Sequence, residues 1–299
     1  MRFGLCLPNY TTLASPESID AVAAAAERLG WESVWTTDHV LVDAGDDAAD
    51  YRTNFDVLET LAWVGARYPT VGLGTSVIVV PQRNAVVLAK QLATLDALSA
   101  GRVIAGIGVG WSEREFANLA MADRFAVRGA FVEETIGLWR HLWSGSTEPF
   151  EGRFHHLSDF VFGPVPAQKA GLPIWIGGRA EKALERAGRL ADGYHSSSTS
   201  PEAYERRIPT IRAAAEVAGH PMPTLSARVR VEFDAPVRAA KPRPYAMRGT
   251  ADDVSAEIAK FAAAGVEHLA IFVEAPSLDA MLTAIERFST EVMATAVAR

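Results

Sequence analysis

The feature that most constrains this chain is a regular alternation of short apolar runs with longer amphipathic segments. The first run covers residues 2–7. The helix after it begins at Ser15 and Pro16 and ends at Gly30, because these residues suit an N-cap, a first helical turn and a C-terminal cap. Seven further apolar runs predict the other strands: residues 33–37, 71–80, 102–108, 173–176, 193–195, 225–233 and 268–273.

The segments between these runs have the period of helices. They predict helices over residues 55–67, 84–98, 128–143, 180–189, 201–218, 251–264 and 278–298. Repeated strand–helix units need right-handed crossovers and a parallel sheet, and eight of them favour a closed (β/α)8 TIM barrel. An open doubly wound sheet is the alternative. We predict one domain, residues 1–299, with insertions after the fourth and seventh units, at residues 144–172 and 234–249.

Composition limits the partners and the compartment. A net charge of −7 argues against a general nucleic-acid surface. The longest apolar stretch, residues 21–26, is mostly alanine and too short to span a membrane. The lone Cys6 cannot form an internal disulfide, which fits a reducing compartment. We therefore expect a cytoplasmic protein whose partner is a small molecule, with no nucleic-acid or membrane partner.

In barrels of this type, functional residues follow the C-terminal ends of the strands. Those positions here are residues 8–10, 37–39, 74–77, 108–111, 177–179, 195–197, 234–249 and 274. The glycines of residues 106–110 would let a ligand approach the backbone, although tight barrel turns explain them equally well. Gly177 and Gly178 precede a helix, whose first amides suit a phosphate.

His39 is the leading catalytic candidate by position, because it directly follows the second strand, beside Asp38. A histidine there can act as a general acid or base near neutral pH. A packed, hydrogen-bonded rim histidine is the alternative, and His195 has the same ambiguity. Asp38 could orient a ring nitrogen, cap a turn or lie in solvent.

Other chemistries lack their motifs. His155 and His156 are adjacent, so on a strand they would point to opposite faces and could not share one ion. The sequence contains no Gly-x-Ser-x-Gly nucleophile elbow. We predict no metal site.

Several motifs in order resemble the bacterial luciferase-like flavin oxidoreductase superfamily over nearly the whole chain. The most specific stretch is residues 98–102 followed by residues 106–111. The other matching segments are residues 2–4, 27–39, 71–75, 81–96, 173–178 with Pro166 and Gln168 before them, 191–193 and 249–254. The resemblance implies a (β/α)8 barrel that binds FMN or the deazaflavin coenzyme F420. The sequence is most similar to the F420-dependent branch.

The resemblance also assigns roles to residues. It implies a non-prolyl cis peptide at Ser76–Val77 behind the deazaflavin ring, a coenzyme approach at residues 108–110 and a phosphate-binding loop at residues 177–179. Residues 195–197 match a coenzyme-contacting rim, and His39 matches the active-site histidine. The predicted coenzyme-binding set is Asp38, Ser76, Val77, Gly108, Val109, Gly110, Trp111, Gly177, Gly178, Arg179, His195, Ser196 and Ser197.

One position departs from the branch. Its sugar-phosphate dehydrogenases carry a glutamate directly after Gly-x-Gly, where this chain has Trp111. The change argues against sugar-phosphate oxidation and favours a more apolar substrate wall. Glu113, two residues further on, is interpreted as a carboxylate in the first helical turn, favoured by the helix dipole.

A locally basic loop stands out on the acidic chain. It contains Arg238, Lys241, Arg243 and Arg248. We hypothesise that it meets the phosphate and oligoglutamate tail of the deazaflavin coenzyme, since such complementarity speeds encounter. A solvated loop is the alternative.

Together these features predict an F420-dependent oxidoreductase that transfers hydride between the deazaflavin and a small organic substrate. One alternative is an FMN-dependent monooxygenase that uses reduced flavin and oxygen. Another is a non-catalytic flavin-binding protein. The resemblance further implies a homodimer formed through the helices of the second and third units.

Overall fold

A computed structural model of the protein describes residues 1–45, 51–235 and 244–294. The strands in these residues are β1 (Arg2–Cys6), β2 (Ser33–Thr36), β3 (Gly72–Thr75), β4 (Ile78–Val79), β5 (Val103–Gly108), β6 (Phe150–Glu151), β7 (His156–Leu157), β8 (Ile174–Gly177), β9 (Gly193–Ser197), β10 (Thr224–Phe233), β11 (Ala246–Gly249) and β12 (His268–Val273). Strands β1, β2, β3, β5, β8, β9, β10 and β12 pair in parallel, each with the next. Strand β12 also pairs with β1, so the ring closes.

Helices surround this ring. They are α1 (Pro16–Arg28), α2 (Val57–Arg67), α3 (Ala85–Leu98), α4 (Glu113–Asn118), α5 (Ala122–Phe125), α6 (Arg128–Trp143), α7 (Glu181–Leu190), α8 (Pro201–Glu205), α9 (Ile208–Ala218), α10 (Ala251–Ala263) and α11 (Leu278–Arg287). The Ser15 side chain accepts the Ser18 amide at the start of α1, as its N-cap position predicts. Thr250 and Asp253 form a reciprocal capping box at the start of α10. The predicted (β/α)8 barrel is confirmed.

Two predicted helices differ from those in the structure. The helix predicted over residues 201–218 is divided into α8 and α9, because Pro209 lacks an amide hydrogen and fits only the first turn of a new helix. The helix predicted over residues 278–298 continues beyond α11 as a π-helical turn, Phe288–Met293, and its last residues lie outside the described part of the chain.

The loop predicted over residues 234–249 is wrong at its C-terminal end, where β11 forms. Strand β10 is long: residues 224–228 pair with β9, and residues 230–233 pair with β11. Strand β11 therefore occupies the edge that β9 leaves free. Between α6 and β8 the chain forms a small antiparallel hairpin, β6–β7.

The side chains separate into two apolar layers because successive residues of a strand point to opposite faces. The larger layer lies between the barrel and its helices. The smaller layer fills the barrel interior with Cys6, Tyr10, Trp35, Trp175, Ala270 and Phe272. The interior is thus a packed core.

None of the helices in the described ranges combines the length and the apolar character that crossing a membrane requires.

Candidate active site

The segment after β3 carries the first predicted site residues. The peptide bond between Ser76 and Val77 is cis, as the resemblance implies. Asp38 fixes the segment that follows, because its Oδ2 accepts the Val79 amide at 2.9 Å and its Oδ1 accepts Arg83 Nη2 at 2.7 Å. Asp38 is buried, and both of its carboxylate oxygens are engaged within the protein. Of the three roles predicted for Asp38, the structure therefore supports the one in which its carboxylate holds a turn.

Glycines make room for Val77. A Cβ atom on Gly108 would lie 2.7 Å from Val77 Cγ2, and one on Gly177 would lie 3.1 Å from Val77 Cγ1. Gly108 is buried, whereas Val109 and Gly110 are half-exposed at the mouth. Gly108 thus serves the packing of the cis segment, and Val109 and Gly110 are accessible to a ligand. A coenzyme-binding role for the three stays a prediction.

His39 forms a dyad with a buried carboxylate. His39 Nδ1 lies 3.2 Å from Glu115 Oε2, and the other carboxylate oxygen accepts the amides of Val40 and Leu41 at 2.9 and 3.1 Å. Burial raises the pKa of Glu115, but the hydrogen bond and charge of His39, together with the Val40 amide, outweigh it and hold the pKa at about 2. Glu115 is therefore ionised at neutral pH.

The dyad defines the state of the imidazole. A carboxylate only accepts hydrogen bonds, so Nδ1 of His39 carries the proton in the neutral ring. Nε2 has no hydrogen-bond partner in the described part of the chain and is left as an acceptor. His39 can therefore take a proton at Nε2, and Glu115 can stabilise the imidazolium that results.

Glu115 is not among the site residues predicted from the sequence. The available signal was Ser112 followed three residues later by Glu115, which is the pattern of a capping box. Half of that box forms, because Ser112 Oγ accepts the Glu115 amide at 3.1 Å. The glutamate side chain binds His39 instead of the N-cap amide. Glu113, the carboxylate noted in the sequence, is exposed.

Side chains from three loops surround His39. Asn54 Nδ2 donates to the His39 carbonyl at 2.5 Å, and Asn9 Nδ2 donates to the Thr37 carbonyl at 2.8 Å. The rings of Tyr51 and Trp111 meet His39 edge-on, at centroid distances of 4.9 and 5.8 Å. Trp111 is 63% exposed, so its indole is available to a ligand at the mouth.

The structure places His195 in the barrel interior, which corrects its assignment to the rim. Its ring is 2% exposed and stacks on Trp35 at 4.8 Å. Nε2 lies 2.8 Å from Ser76 Oγ, and Nδ1 lies 2.8 Å from Ser226 Oγ. Strand residues alternate in direction, and His195 points inward. Any influence on a coenzyme would pass through the Ser76 hydroxyl.

His195 belongs to a hydrogen-bonded chain through the core. Ser226 Oγ also meets His268 Nδ1 at 2.9 Å, and His268 Nε2 meets Ser33 Oγ at 3.4 Å. Trp35 Nε1, which can only donate, binds Ser33 Oγ at 2.8 Å. Among the described residues, His268 Nε2 is then the only acceptor for the Ser33 hydroxyl hydrogen. His268 therefore donates from Nδ1 to Ser226 Oγ, and Ser226 donates to His195 Nδ1. His195 in turn donates from Nε2 to Ser76 Oγ. The Ser76 hydroxyl hydrogen is left for a group at the mouth.

We expect the buried imidazoles to make the protein acid-sensitive. Burial, with the charge of Arg228, lowers the pKa of His195 to about 3, and burial with His195 lowers that of His268 well below its usual value. In the unfolded chain these two imidazoles take up protons near pH 6.5, whereas in the folded protein they stay neutral. Their contribution to the free energy of unfolding is therefore fully present above pH 6.5 and is lost as the pH falls toward 3. The protonation of His195 alone should lower the free energy of unfolding by about 2 kcal/mol between pH 6.5 and pH 5.

Urea denaturation at pH 7 and pH 5 measures this loss. His195→Gln should remove the His195 part of the pH dependence. An unfolding free energy that stays constant between the two pH values contradicts a neutral, buried pair.

The predicted phosphate-binding loop lies at the start of α7. Gly178 and Arg179 are exposed, and Gly178 has φ +134°, a conformation that side chains rarely adopt. The N-cap residue of α7, Ala180, offers no side-chain acceptor to the first amides of the helix. Ser197 is also exposed, whereas Ser196 is buried against Thr199 and Arg207. Among the predicted coenzyme-binding residues of this region, the exposed ones could hold an anion: Gly178, Arg179 and Ser197.

The predicted basic loop is only partly described. Arg238, Lys241 and Arg243 lie outside the described residues. Arg248 lies in β11, where its Nε and Nη2 bind the two oxygens of Glu232 at 2.6 and 2.9 Å. The assignment of Arg248 to an anion-binding loop is therefore wrong, because a carboxylate already neutralises it.

His155 and His156 have separate partners. His155 Nε2 lies 2.9 Å from Thr135 Oγ1, and His156 Nδ1 lies 2.9 Å from Glu151 Oε2. Within residues 1–45, 51–235 and 244–294, no three His, Cys, Asp or Glu side chains come together as a potential metal site.

A cavity of about 340 Å³ opens at the mouth between the ends of β1, β10 and β12. Its aromatic walls are Tyr10, Tyr51 and Phe272, and its cationic side chains are Arg228 and Arg230. Because Tyr51 also contacts the ring of His39, the cavity and the His39–Glu115 dyad are neighbours. This volume lies in the range of small-molecule sites.

Known proteins resemble the chain in sequence. Residues 1–248 match the family of luciferase-like monooxygenases. An F420-dependent glucose-6-phosphate dehydrogenase of Nakamurella multipartita is 33% identical over 228 residues, which are 73% of this chain and 64% of that protein. The match thus spans less than two thirds of that relative's length.

Solved structures share the fold. An F420-dependent secondary alcohol dehydrogenase, in complex with an F420–acetone adduct, superposes with a TM-score of 0.83 at 19% identity over 98% of both chains. The monooxygenase RslO1 from Streptomyces bottropensis gives 0.77 at 21% identity over 99% of this chain and 100% of its own. At this identity the likeness concerns the fold alone. By the match over most of its length, the chain belongs to the family of luciferase-like monooxygenases.

Proposed function

We propose that the protein is a coenzyme F420-dependent oxidoreductase that moves hydride between the deazaflavin and a small organic substrate. The observation that carries the proposal is the His39–Glu115 dyad at the barrel mouth, which holds one imidazole nitrogen ready to exchange a proton. The names of the curated relatives, which are F420-dependent dehydrogenases, support the choice of coenzyme.

The mouth fits a flat ring with an anionic tail. The cis segment at Ser76 offers a hydroxyl hydrogen, and the uncapped start of α7 beside Gly178 and Arg179 offers amides and a cation to a phosphate. Val109 and Gly110 are accessible between the two. We propose that these residues hold the coenzyme, and that Asp38 and His195 contribute by fixing Ser76 and the segment after it.

Coenzyme F420, when bound, supplies a two-electron hydride acceptor or donor. The chain supplies the proton chemistry. In the oxidation of an alcohol, the coenzyme would take up the C–H hydride, and His39 Nε2 would accept the O–H proton, so that a carbonyl would form. Glu115 balances the charge of the resulting imidazolium, and Trp111 and Tyr51 limit the access of water to the ring.

An FMN-dependent monooxygenase remains the second candidate, because a monooxygenase shares the fold. Titration of the protein with F420 and with FMN, followed by fluorescence, separates the two. We expect F420 to bind and to lose its visible absorbance when a panel of secondary alcohols is added. Tight FMN binding without F420 binding would reverse the choice, and F420 binding without reduction by any alcohol would favour a non-catalytic protein.

We expect His39→Ala to lower turnover by about 10²–10⁴-fold, because it removes the proton acceptor. Coenzyme affinity should stay within a few-fold of the wild type, since no coenzyme-holding residue changes. Steady-state rates and a fluorescence titration on the same sample measure both. Lost coenzyme affinity at an unchanged rate for the bound fraction would make His39 a binding residue instead.

We also propose a cytoplasmic homodimer that forms through α2 and α3. Trp63 on α2 and Val87 on α3 are 40% and 54% exposed, and exposed apolar side chains of this kind often mark interfaces. The single buried thiol, Cys6, is compatible with a reducing compartment. Sedimentation should give twice the chain mass of 32.2 kDa, and Trp63→Glu should shift the protein to the monomer.

A further inference from the structure

Arg228 has no carboxylate partner in the part of the chain that the structure describes. Its Nη2 donates to the Tyr10 hydroxyl at 2.5 Å, and its guanidinium lies over the rings of Tyr10 and Phe272 at 5.6 and 5.1 Å. No Asp or Glu in the described ranges lies within ion-pair distance of it. The Cys6 thiol beside it stays neutral, because burial raises the pKa of that thiol. Within residues 1–45, 51–235 and 244–294, the positive charge of Arg228 is therefore uncompensated.

Some arginines at comparable depth are paired with carboxylates, whereas Arg102 and Arg124 donate to backbone carbonyls instead. Arg83 binds Asp38 and Asp56, and Arg186 binds Glu133. In the cavity itself, Arg230 binds Glu274 at 2.7 Å. Placing a lone charge away from bulk water is costly unless a counter-ion arrives. Among the described residues, Arg228 thus lacks the carboxylate partner that Arg230 has in the same cavity.

The position of Arg228 is that of a ligand-binding residue. Ser226, Arg228 and Arg230 alternate along β10, and Ser226 points into the barrel core. Arg228 therefore lies one step above the buried imidazoles, and it lines the cavity of about 340 Å³ at the mouth. The hydroxyls of Thr11 and Thr12 and the ring of Tyr51 line the same cavity.

The charge of the cavity selects the ligand class. The charges of Arg230 and Glu274 cancel each other. The described walls of the cavity therefore carry one net positive charge, on Arg228. One charge matches a carboxylate, whereas a phosphate carries close to two negative charges at neutral pH. The planar fork of a guanidinium also matches the two oxygens of a carboxylate.

We propose that Arg228 anchors the carboxylate of a monoanionic organic acid, which is the substrate class of this site. The body of the acid lies along Tyr10, Phe272 and Tyr51, and its alcohol or carbonyl group faces His39. The inference rests on the proposed function for the reaction, but the anchoring itself does not need the coenzyme. The carboxylate takes no part in the redox step.

Calorimetric titration of the full chain, with and without F420, tests the anchor. The probes are mandelate, its neutral amide mandelamide, and glucose 6-phosphate. We expect mandelate to bind wild type at least 10-fold more tightly than either of the others. Arg228→Met should weaken mandelate about 10–100-fold, in line with a charge-assisted pair, and leave mandelamide and F420 affinity unchanged.

A second variant tests the charge count without touching Arg228. Glu274→Gln frees Arg230 and gives the cavity two uncompensated cations, so glucose 6-phosphate should gain about 10-fold in affinity. Far-ultraviolet circular dichroism checks that both variants fold. Arg28→Met, at an exposed arginine paired with Glu286 on the outer surface, is the control and should change none of these affinities.

Several outcomes overturn the inference. They are equal binding of mandelate and mandelamide, no mandelate binding to wild type, glucose 6-phosphate as the tightest wild-type ligand, and an Arg228→Met defect confined to F420. Failure of the proposed function looks different, because mandelate would still bind through Arg228 while F420 would not bind or would not be reduced.

Discussion

Glu115→Gln should lower the rate of hydride transfer by about 10²–10⁴-fold while leaving coenzyme affinity within a few-fold of the wild type. The glutamine oxygen can still accept the Val40 and Leu41 amides, so its NH₂ group turns toward His39 Nδ1. Nδ1 must then accept, and the ring proton moves to Nε2. An imidazole in that tautomer cannot take the substrate proton, and losses near 10⁴ are known for this change in other enzymes.

Two measurements separate this tautomer effect from a loss of folding. Nitrogen NMR of the His39 ring should show the proton on Nδ1 in the wild type and on Nε2 in the variant. Glu113→Gln, at an exposed glutamate two residues away, is the matched control and should keep wild-type turnover. Glu115→Gln with unchanged turnover would remove the dyad from the mechanism.

Ser226→Ala should lower the free energy of unfolding by about 2–5 kcal/mol. Ser226 is fully buried, and its hydroxyl serves His195 Nδ1 and His268 Nδ1, both at 2.8–2.9 Å. Alanine leaves two buried ring nitrogens without partners, and each unsatisfied group costs about 1–3 kcal/mol. Urea denaturation at pH 7 measures the loss.

Ser15→Ala is the matched control, because it removes the N-cap of α1 at the surface and should cost only about 1 kcal/mol. The same Ser226→Ala sample should also bind F420 more weakly, since the direction of the Ser76 hydroxyl depends on the chain below it. A loss of stability as small as that of Ser15→Ala would mean that the imidazoles find other partners.

The candidate site was predictable where a residue's role follows from its place along a strand. His39 lies three residues beyond the end of β2, so its place at the mouth could be predicted from the order of elements. Glu115 could not be found in this way, because its partner lies 76 residues away and its own local pattern indicates a helix cap. His195 was placed at the rim because β9 is longer than the apolar run that predicted it.

The sequence by itself determined the barrel, because eight repeats of a strand and a helix permit few ways to bury both apolar faces. It also determined which strand ends form the mouth. Only the tertiary structure decided which charges are compensated there. Arg248 meets Glu232 and Arg230 meets Glu274, while Arg228 meets no carboxylate among the described residues. Such pairing depends on the distances between side chains of different elements, and no pattern along the chain encodes it.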